Sequence, residues 1–410
     1  MIITLFYDNI SVVKDRNLQG VISLNFYLTN EHRRCMGLKP IGDNWDMVIL
    51  KGKYGEEFYL FFDGDNIKKM ICYQLTEDII LMHEMDINYQ TKNNRTIILP
   101  KTNRGKEKNL NISALKLLDG EGNYFYINYT ANEGATRVII GNYTNQRTFF
   151  EETNISNCNS LDKFKEWCDN FAKNSTEEDI EEVTKFSREP RKHIKYKEGD
   201  YFRIKLGKNL YTYGRILMDI YKRVKAGMKY WDIFIGRTLI VETFHILTNR
   251  KDVSINELKK LKTFPSEHIM DNRFYYGDYE IIGNDKLPEA IKYPIMYGRS
   301  ISAIDKDKII FQCGMINKVI PYNRNNLIRR EDEYENNLPN YDFRNSSSGF
   351  NITNDIETIK ECIKEDSNNP YWEHYKYIAL SDLRAPINKE KLKLVLKQME
   401  LEDLFKIYND

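Results

Sequence analysis

Most of the short motifs that announce chemistry are missing from this 410-residue chain. Its six cysteines, Cys35, Cys72, Cys158, Cys168, Cys313 and Cys362, include no Cys-x-x-Cys pair, and none has a histidine at metal-ligand spacing. That argues against a structural zinc site. Scattered so widely, the cysteines fit a reducing cytosol better than a disulfide scaffold. There is no Gly-x-Ser-x-Gly elbow, and Lys51-Gly-Lys-Tyr-Gly55 lacks the Lys-Ser or Lys-Thr that completes a phosphate-binding loop. Asp63-Gly-Asp-Asn66 and Asp119-Gly-Glu-Gly122 resemble fragments of calcium loops. Neither has the bidentate Glu at the twelfth position, so both read as Asp-Gly turns. No cofactor is expected.

Long apolar runs and charge of one sign are lacking too. No stretch approaches the length of a membrane span. Met1–Tyr7 is apolar but has no basic start and meets Asp8 at once, so it reads as a first strand, not a signal peptide. Lys plus Arg number 61 against 60 acidic residues, and this balance argues against bulk nucleic-acid binding. No internal repeat is visible. Together these features predict a cytoplasmic protein with no membrane association.

What is present is β-rich. Residues 1–155 carry short strands separated by turns: Val21–Leu28, Asp46–Leu50 and Glu57–Phe62 around Lys53-Tyr-Gly-Glu56, then Ile67–Leu75. Ala114–Leu118 and Tyr124–Tyr129, joined by Asp119–Gly122, read as a hairpin, with Arg137–Ile140 and Arg147–Phe150 closing the series. Such a series predicts a sandwich or open barrel. Residues 156–195 form a helical connector. Leu161, Phe164, Trp167, Cys168 and Phe171 share one face after Ser160, an N-cap residue, and Ser175-Thr-Glu-Glu178 is a capping-box pattern. Residues 323–410 open with a polar segment crowded with Asn, Asp and Ser. They end in helices at 354–363 and 388–407, with Leu392, Val395, Leu396 and Met399 as a docking stripe.

The central domain, 196–322, organises the rest. In Gly199–Leu206, Phe202, Ile204 and Leu206 alternate with Arg203 and Lys205, the period of a strand with one dry face. Gly207-Lys-Asn209 turns the chain back through Leu210–Leu217, where Gly214 marks a bulge or a close backbone approach. Tyr221–Lys229 reads as a basic solvated loop. Tyr230–Gly236, Leu239–Val241 and Arg273–Gly283 follow as strands. Phe202, Ile204, Ile216, Trp231, Phe234 and Ile281 are the expected core, and residues 191–325 are expected to fold alone. The fold class is therefore α+β and mostly antiparallel β.

The order Gly199-Asp200, Tyr213–Leu217, Trp231–Phe234, Glu242-Thr-Phe244 and Tyr279–Gly283 resembles the bacterial immunity protein family numbered twenty-six. The resemblance covers about residues 196–322. It implies a non-catalytic protein that binds and neutralises a cognate bacterial toxin. The alternative is an enzyme, a hydrolase or nuclease, with its active site in the amino-terminal domain.

Two Glu–His neighbours, Glu242 with His245 and Glu267 with His268, have the residue types of acid–base chemistry. Adjacent residues on a strand point to opposite faces, so Glu267 and His268 do not share a site. Protein-binding hot spots favour Trp, Tyr and Arg. On that ground Arg273 and Tyr275, with His268, Tyr297 and Arg299, are the candidate partner-binding residues.

Overall fold

The computed structural model describes residues 4–7, 10–13, 26–131, 134–153, 155, 158–227, 236–299, 306–329, 343–344 and 356–409. The fold is α+β, and the chain divides into two compact units, Met1–His193 and Ile194–Asp410.

The first unit opens with a hairpin of β1 (Thr4–Tyr7) and β2 (Ile10–Val13), then α1 (Asn30–Met36). Strands β3 (Asp46–Lys51), β4 (Glu56–Asp63), β5 (Asn66–Leu75) and β6 (Ile79–Lys92) follow as a meander. Short strands β7 (Ile97–Ile98) and β8 (Lys108–Asn109) and the one-turn helix α2 (Ile112–Leu115) lead to β9 (Glu121–Thr130), β10 (Ala135–Asn142) and β11 (Arg147–Thr153). The antiparallel path runs β11-β10-β9-β6-β5-β4-β3, with β7 and β8 off β6. It is one large sheet rather than the expected sandwich or barrel.

Both faces of that sheet are covered, which is why Phe58–Phe62 is a continuous apolar run. Phe58, Leu60 and Phe62 pack on the α2 side. Tyr59 and Phe61 pack on the opposite side with α3 (Leu161–Lys173) and α4 (Glu177–Arg188). Ser160 caps α3 as expected, whereas the capping box of α4 is Thr176 with Asp179, one residue later than the sequence pattern. Ala114–Leu118 is not the expected strand. Asn111 Oδ1 accepts the Ala114 N–H and starts α2 instead. Of Val21–Leu28, only residues 26–28 are described, and they are irregular.

A four-charge network lies buried in this unit. Lys69 stands opposite Asp86 across β5 and β6, with Nζ 2.5 Å from Asp86 Oδ1 and 2.9 Å from Glu84 Oε1. Arg33 of α1 reaches the same Glu84 through Nε at 2.7 Å and Nη2 at 3.0 Å. Burial raises the Glu84 carboxyl, but Lys69 and Arg33 outweigh it and hold the group below its ordinary range. Asp86 stays above its range, because burial exceeds what Lys69 offsets.

In the second unit, β12 (Asp200–Gly207) and β13 (Leu210–Asp219) form the expected hairpin, and α5 (Ile220–Lys225) replaces the expected basic loop. Asp219 starts that helix by accepting the Lys222 N–H at 3.1 Å. Then come β14 (Thr238–Thr243), α6 (Ile255–Leu258), β15 (Glu267–Met270), α7 (Asn272–Tyr275) and β16 (Glu280–Asn284). The sheet order is β15-β14-β13-β12-β16. A Cβ at Gly214 would meet the Phe202 ring and the Glu242 carbonyl at 2.3 and 2.6 Å, the close approach the sequence implied. Trp231 and Phe234 lie outside the described residues. Phe202, Ile204 and Ile216 are buried and Ile281 is half-buried.

A second sheet, β19-β18-β17-β20, combines β17 (Ile295–Arg299), β18 (Lys308–Cys313), β19 (Ile316–Pro321) and β20 (Phe343–Arg344). Five helices finish the unit: α8 (Ile356–Glu365), α9 (Asn369–His374), α10 (Lys376–Ser381), α11 (Lys389–Gln398) and α12 (Phe405–Asn409). Ile359, Cys362, Tyr371 and Trp372 enter the core of the first sheet, beside Phe202, Ile216 and Val241. Leu392, Val395, Leu396 and Met399 dock on β17 and β18, as the stripe implied. The cores are shared between 196–322 and the helices, which argues against autonomous folding of residues 191–325.

Candidate functional site

The five residues selected from sequence do not converge. His268 is fully buried on β15, and Tyr297 is fully buried on β17. The Tyr297 hydroxyl donates to Gln398 Oε1 at 2.7 Å. Arg273 and Tyr275 fall on α7 instead of a strand. Amides of Phe274 and Tyr275 bond the Asp271 carbonyl, and Gly277, at φ +80°, ends the turn. Arg273 Nη1 lies 3.1 Å from Asp278 Oδ2, and Tyr275 is half-buried against Tyr276. Arg299, at the end of β17, donates from Nε to the Lys306 carbonyl at 2.7 Å and stacks 4.3 Å over Tyr322.

A cleft of about 810 Å³ lies elsewhere in the second unit, between its first sheet and the helices. Its sheet wall is a cross-strand pair. Arg215 on β13 stands opposite Glu242 on β14, and its Nε meets Glu242 Oε1 at 2.9 Å. The same guanidinium bonds the Tyr201 hydroxyl at 3.1 Å and lies over the Tyr201 ring. Loops 259–265 and 286–292 form two further sides, and the Asp366–Asn368 turn before α9 forms the fourth.

Arg384 and Trp372 also line the cleft. Arg384 is buried and grips Asp382 from Nε at 3.0 Å and Nη2 at 2.8 Å, while Nη1 bonds Ser266 O and Oγ at 3.0 and 2.9 Å. Although burial lowers its proton affinity, Asp382 reverses that and keeps it above the ordinary arginine value. On the rim, Lys262 Nζ holds Asp366 at 2.7 Å, Lys259 pairs with Asp285, and Lys286 and Lys292 are exposed.

Neither Glu–His neighbour pair forms an acid–base couple. Glu242 is held by Arg215, and His245 shares a 2.7 Å hydrogen bond with Asn368, which itself donates to the Thr263 carbonyl at 3.1 Å. Burial lowers the His245 proton affinity and favours its neutral form. Glu267 Oε1 accepts from the Tyr371 hydroxyl at 2.6 Å. The Lys259-Lys-Leu-Lys262 run is a local signal that the sequence reading did not single out; Trp372 and Arg384, brought in from the last helices, carried none.

The first unit has its own cleft, about 500 Å³, holding Cys72 and His83 opposite each other on β5 and β6. His83 Nε2 and the Tyr143 hydroxyl are 3.0 Å apart. Burial pushes the Cys72 thiol up to about 11 and His83 down to about 4, so both are neutral near pH 7. A thiol raised this far is a poor nucleophile. Among the described residues no cluster of three or more His, Cys, Asp or Glu forms a metal site, and no helix is long and apolar enough to cross a membrane.

Residues 197–308 match the family model described as Immunity protein 26. No curated protein and no solved structure matches the chain. The matched stretch contains the Arg215–Glu242 wall and the 259–265 and 286–292 loops of the second unit's cleft; Trp372 and Arg384 lie beyond it.

Proposed function

We propose, from the match of residues 197–308 to the immunity family, that this chain binds and neutralises a cognate bacterial toxin without performing chemistry on it. The family match is the observation that carries the reading. The cleft is compatible with it: its polar groups are mostly tied to one another in ion pairs, as in a preformed recognition surface rather than an acid–base centre. The toxin would be met in the cytoplasm of the producing cell. Partly exposed Arg273, Tyr275 and Arg299 remain candidate contacts, whereas His268 and Tyr297 would act only by holding the surface in shape.

The test is co-expression with the toxin encoded by the adjacent gene. Growth rescue and co-purification of the two chains are expected. Absence of both would overturn the reading. The alternative, hydrolase or nuclease chemistry in the first unit, is favoured only by the juxtaposition of Cys72 and His83. It predicts an activity lost in Cys72→Ser and His83→Ala while toxin binding persists.

A further inference from the structure

We infer that the cleft of the second unit takes an acidic, partly apolar segment of a protein partner, its carboxylates meeting Lys286 and Lys292 and its chain oxygens meeting Trp372 and Arg384. The inference rests on the immunity reading for the identity of that partner as the toxin.

The charges of the cleft do not cancel. Arg215 is matched by Glu242, Lys259 by Asp285, Lys262 by Asp366 and Arg384 by Asp382. Lys286 and Lys292, one at each end of the 286–292 loop, have no carboxylate partner among the described residues. Glu289, between them in sequence, is exposed and is not part of the lining. The cleft therefore holds two unneutralised ammonium groups.

Hydrogen-bond donors are also in excess. Arg384 has five N–H groups, and four are used by Asp382 and Ser266. The second hydrogen on Nη2 has no acceptor among the described residues. Trp372 is 91% buried as a residue, and its indole N–H, with no acceptor among the described residues, is left open to solvent. Donors that face the cleft are met by water until an acceptor on a ligand displaces it. A ligand rich in acceptors and carrying negative charge supplies what is missing.

The walls narrow the chemistry further. Phe244, Leu261, Phe264, Pro265, Pro288 and Ile291 give the cleft an apolar lining between its charges. Its volume lies within the range of ligand pockets and accommodates several side chains. A nucleic acid would call for a longer basic track, because its binding rests on neutralising a row of backbone phosphates. Two free lysines beside an apolar wall suit a peptide that alternates carboxylates with apolar side chains.

The experiment titrates the full chain against a fluorescein-labelled peptide, Gly-Glu-Leu-Glu-Glu-Phe-Gly, and its counterpart with Gln for every Glu. Salt-sensitive binding of the acidic peptide is expected, weaker by about tenfold or more for the Gln peptide and for Lys286→Glu with Lys292→Glu. Both lysines are exposed, so this variant should keep the parent circular dichroism spectrum, which is checked alongside. No binding, equal binding of the two peptides, undiminished binding by the folded reversed variant, or preference for a single-stranded oligonucleotide would each overturn the assignment. Growth protection separates the two ideas. A reversed variant that still protects overturns the cleft alone, whereas a parent chain that fails to protect overturns the immunity reading and removes the toxin as the cleft's occupant.

Discussion

The Tyr371 hydroxyl donates to Glu267 Oε1 at 2.6 Å inside the core, joining α9 to β15 across 104 residues of sequence. Around this bond, helix residues Ile359, Cys362 and Trp372 pack with sheet residues Phe202, Ile216 and Val241. The carboxyl-terminal helices are therefore part of the fold that carries the family match, and they supply one side of its cleft.

Residues 191–325 alone should consequently be largely unfolded, and residues 191–410 folded. Far-ultraviolet circular dichroism and thermal melting of the two fragments check this. A cooperative β-rich melt from the shorter fragment would show that the helices are dispensable. Within the full chain, Trp372→Ala should cost about 3–5 kcal/mol through lost burial and the cavity it leaves.

Tyr371→Phe isolates the polar part of the same junction. The ring stays, and Glu267 loses a buried donor. A cost of about 1–3 kcal/mol is expected in urea unfolding. An unchanged midpoint would mean that water or another group replaces the phenol at no cost.

The strands and hairpins of the second unit were legible because β12 and β13 alternate apolar and polar residues around a glycine turn. The α7 segment was not. Arg273–Tyr276 has strand-forming residues, but the Asp271 carbonyl accepts two following amides and Gly277 ends the turn. Propensity lost to local hydrogen bonding. In the first unit, Asn111 did the same to Ala114–Leu118. Of the cleft, the sequence singled out only Glu242, and for acid–base chemistry it does not perform. Arg384 and Trp372 arrive from more than a hundred residues away, and periodicity carries no information on such pairings.

Lys69 should be intolerant of simple replacement. Lys69→Met strands Asp86 and removes one of two cations from Glu84, both buried. A loss of about 3–5 kcal/mol is expected. The double change Lys69→Met with Asp86→Leu leaves the Arg33–Glu84 pair intact and should cost less than the single one. Calorimetric unfolding of both variants decides this, and a double variant worse than the single would show that the network acts as one unit.

Acid should weaken the first unit in part through His83. Its folded-state pKa is lowered from 6.5 to about 4 by burial, so the unfolded chain takes up the proton first. Above about pH 6.5 both states are neutral and stability is unaffected. The loss begins as pH falls below that value and levels off near pH 4. His83→Gln should therefore lose less stability than the parent between pH 7 and pH 4.5. Parallel melting curves over that range would show that His83 is protonated equally in both states.

The surface around α7 offers the final discrimination. The Arg273 side chain is 34% exposed and its ion pair with Asp278 lies near solvent, where such pairs contribute about 1 kcal/mol or less. Tyr275 is half-buried against Tyr276 and does not belong to the central core, which takes Phe274 instead. Arg273→Glu with Tyr275→Ala should therefore stay folded with a modest drop in melting temperature. If the cleft receives the partner, this variant keeps growth protection while Lys286→Glu with Lys292→Glu loses it. Loss of protection by the α7 variant in a stably folded chain would move the partner surface from the cleft to this turn. Loss that only tracks unfolding would leave the cleft in place, because a destabilised sheet removes every surface the unit presents.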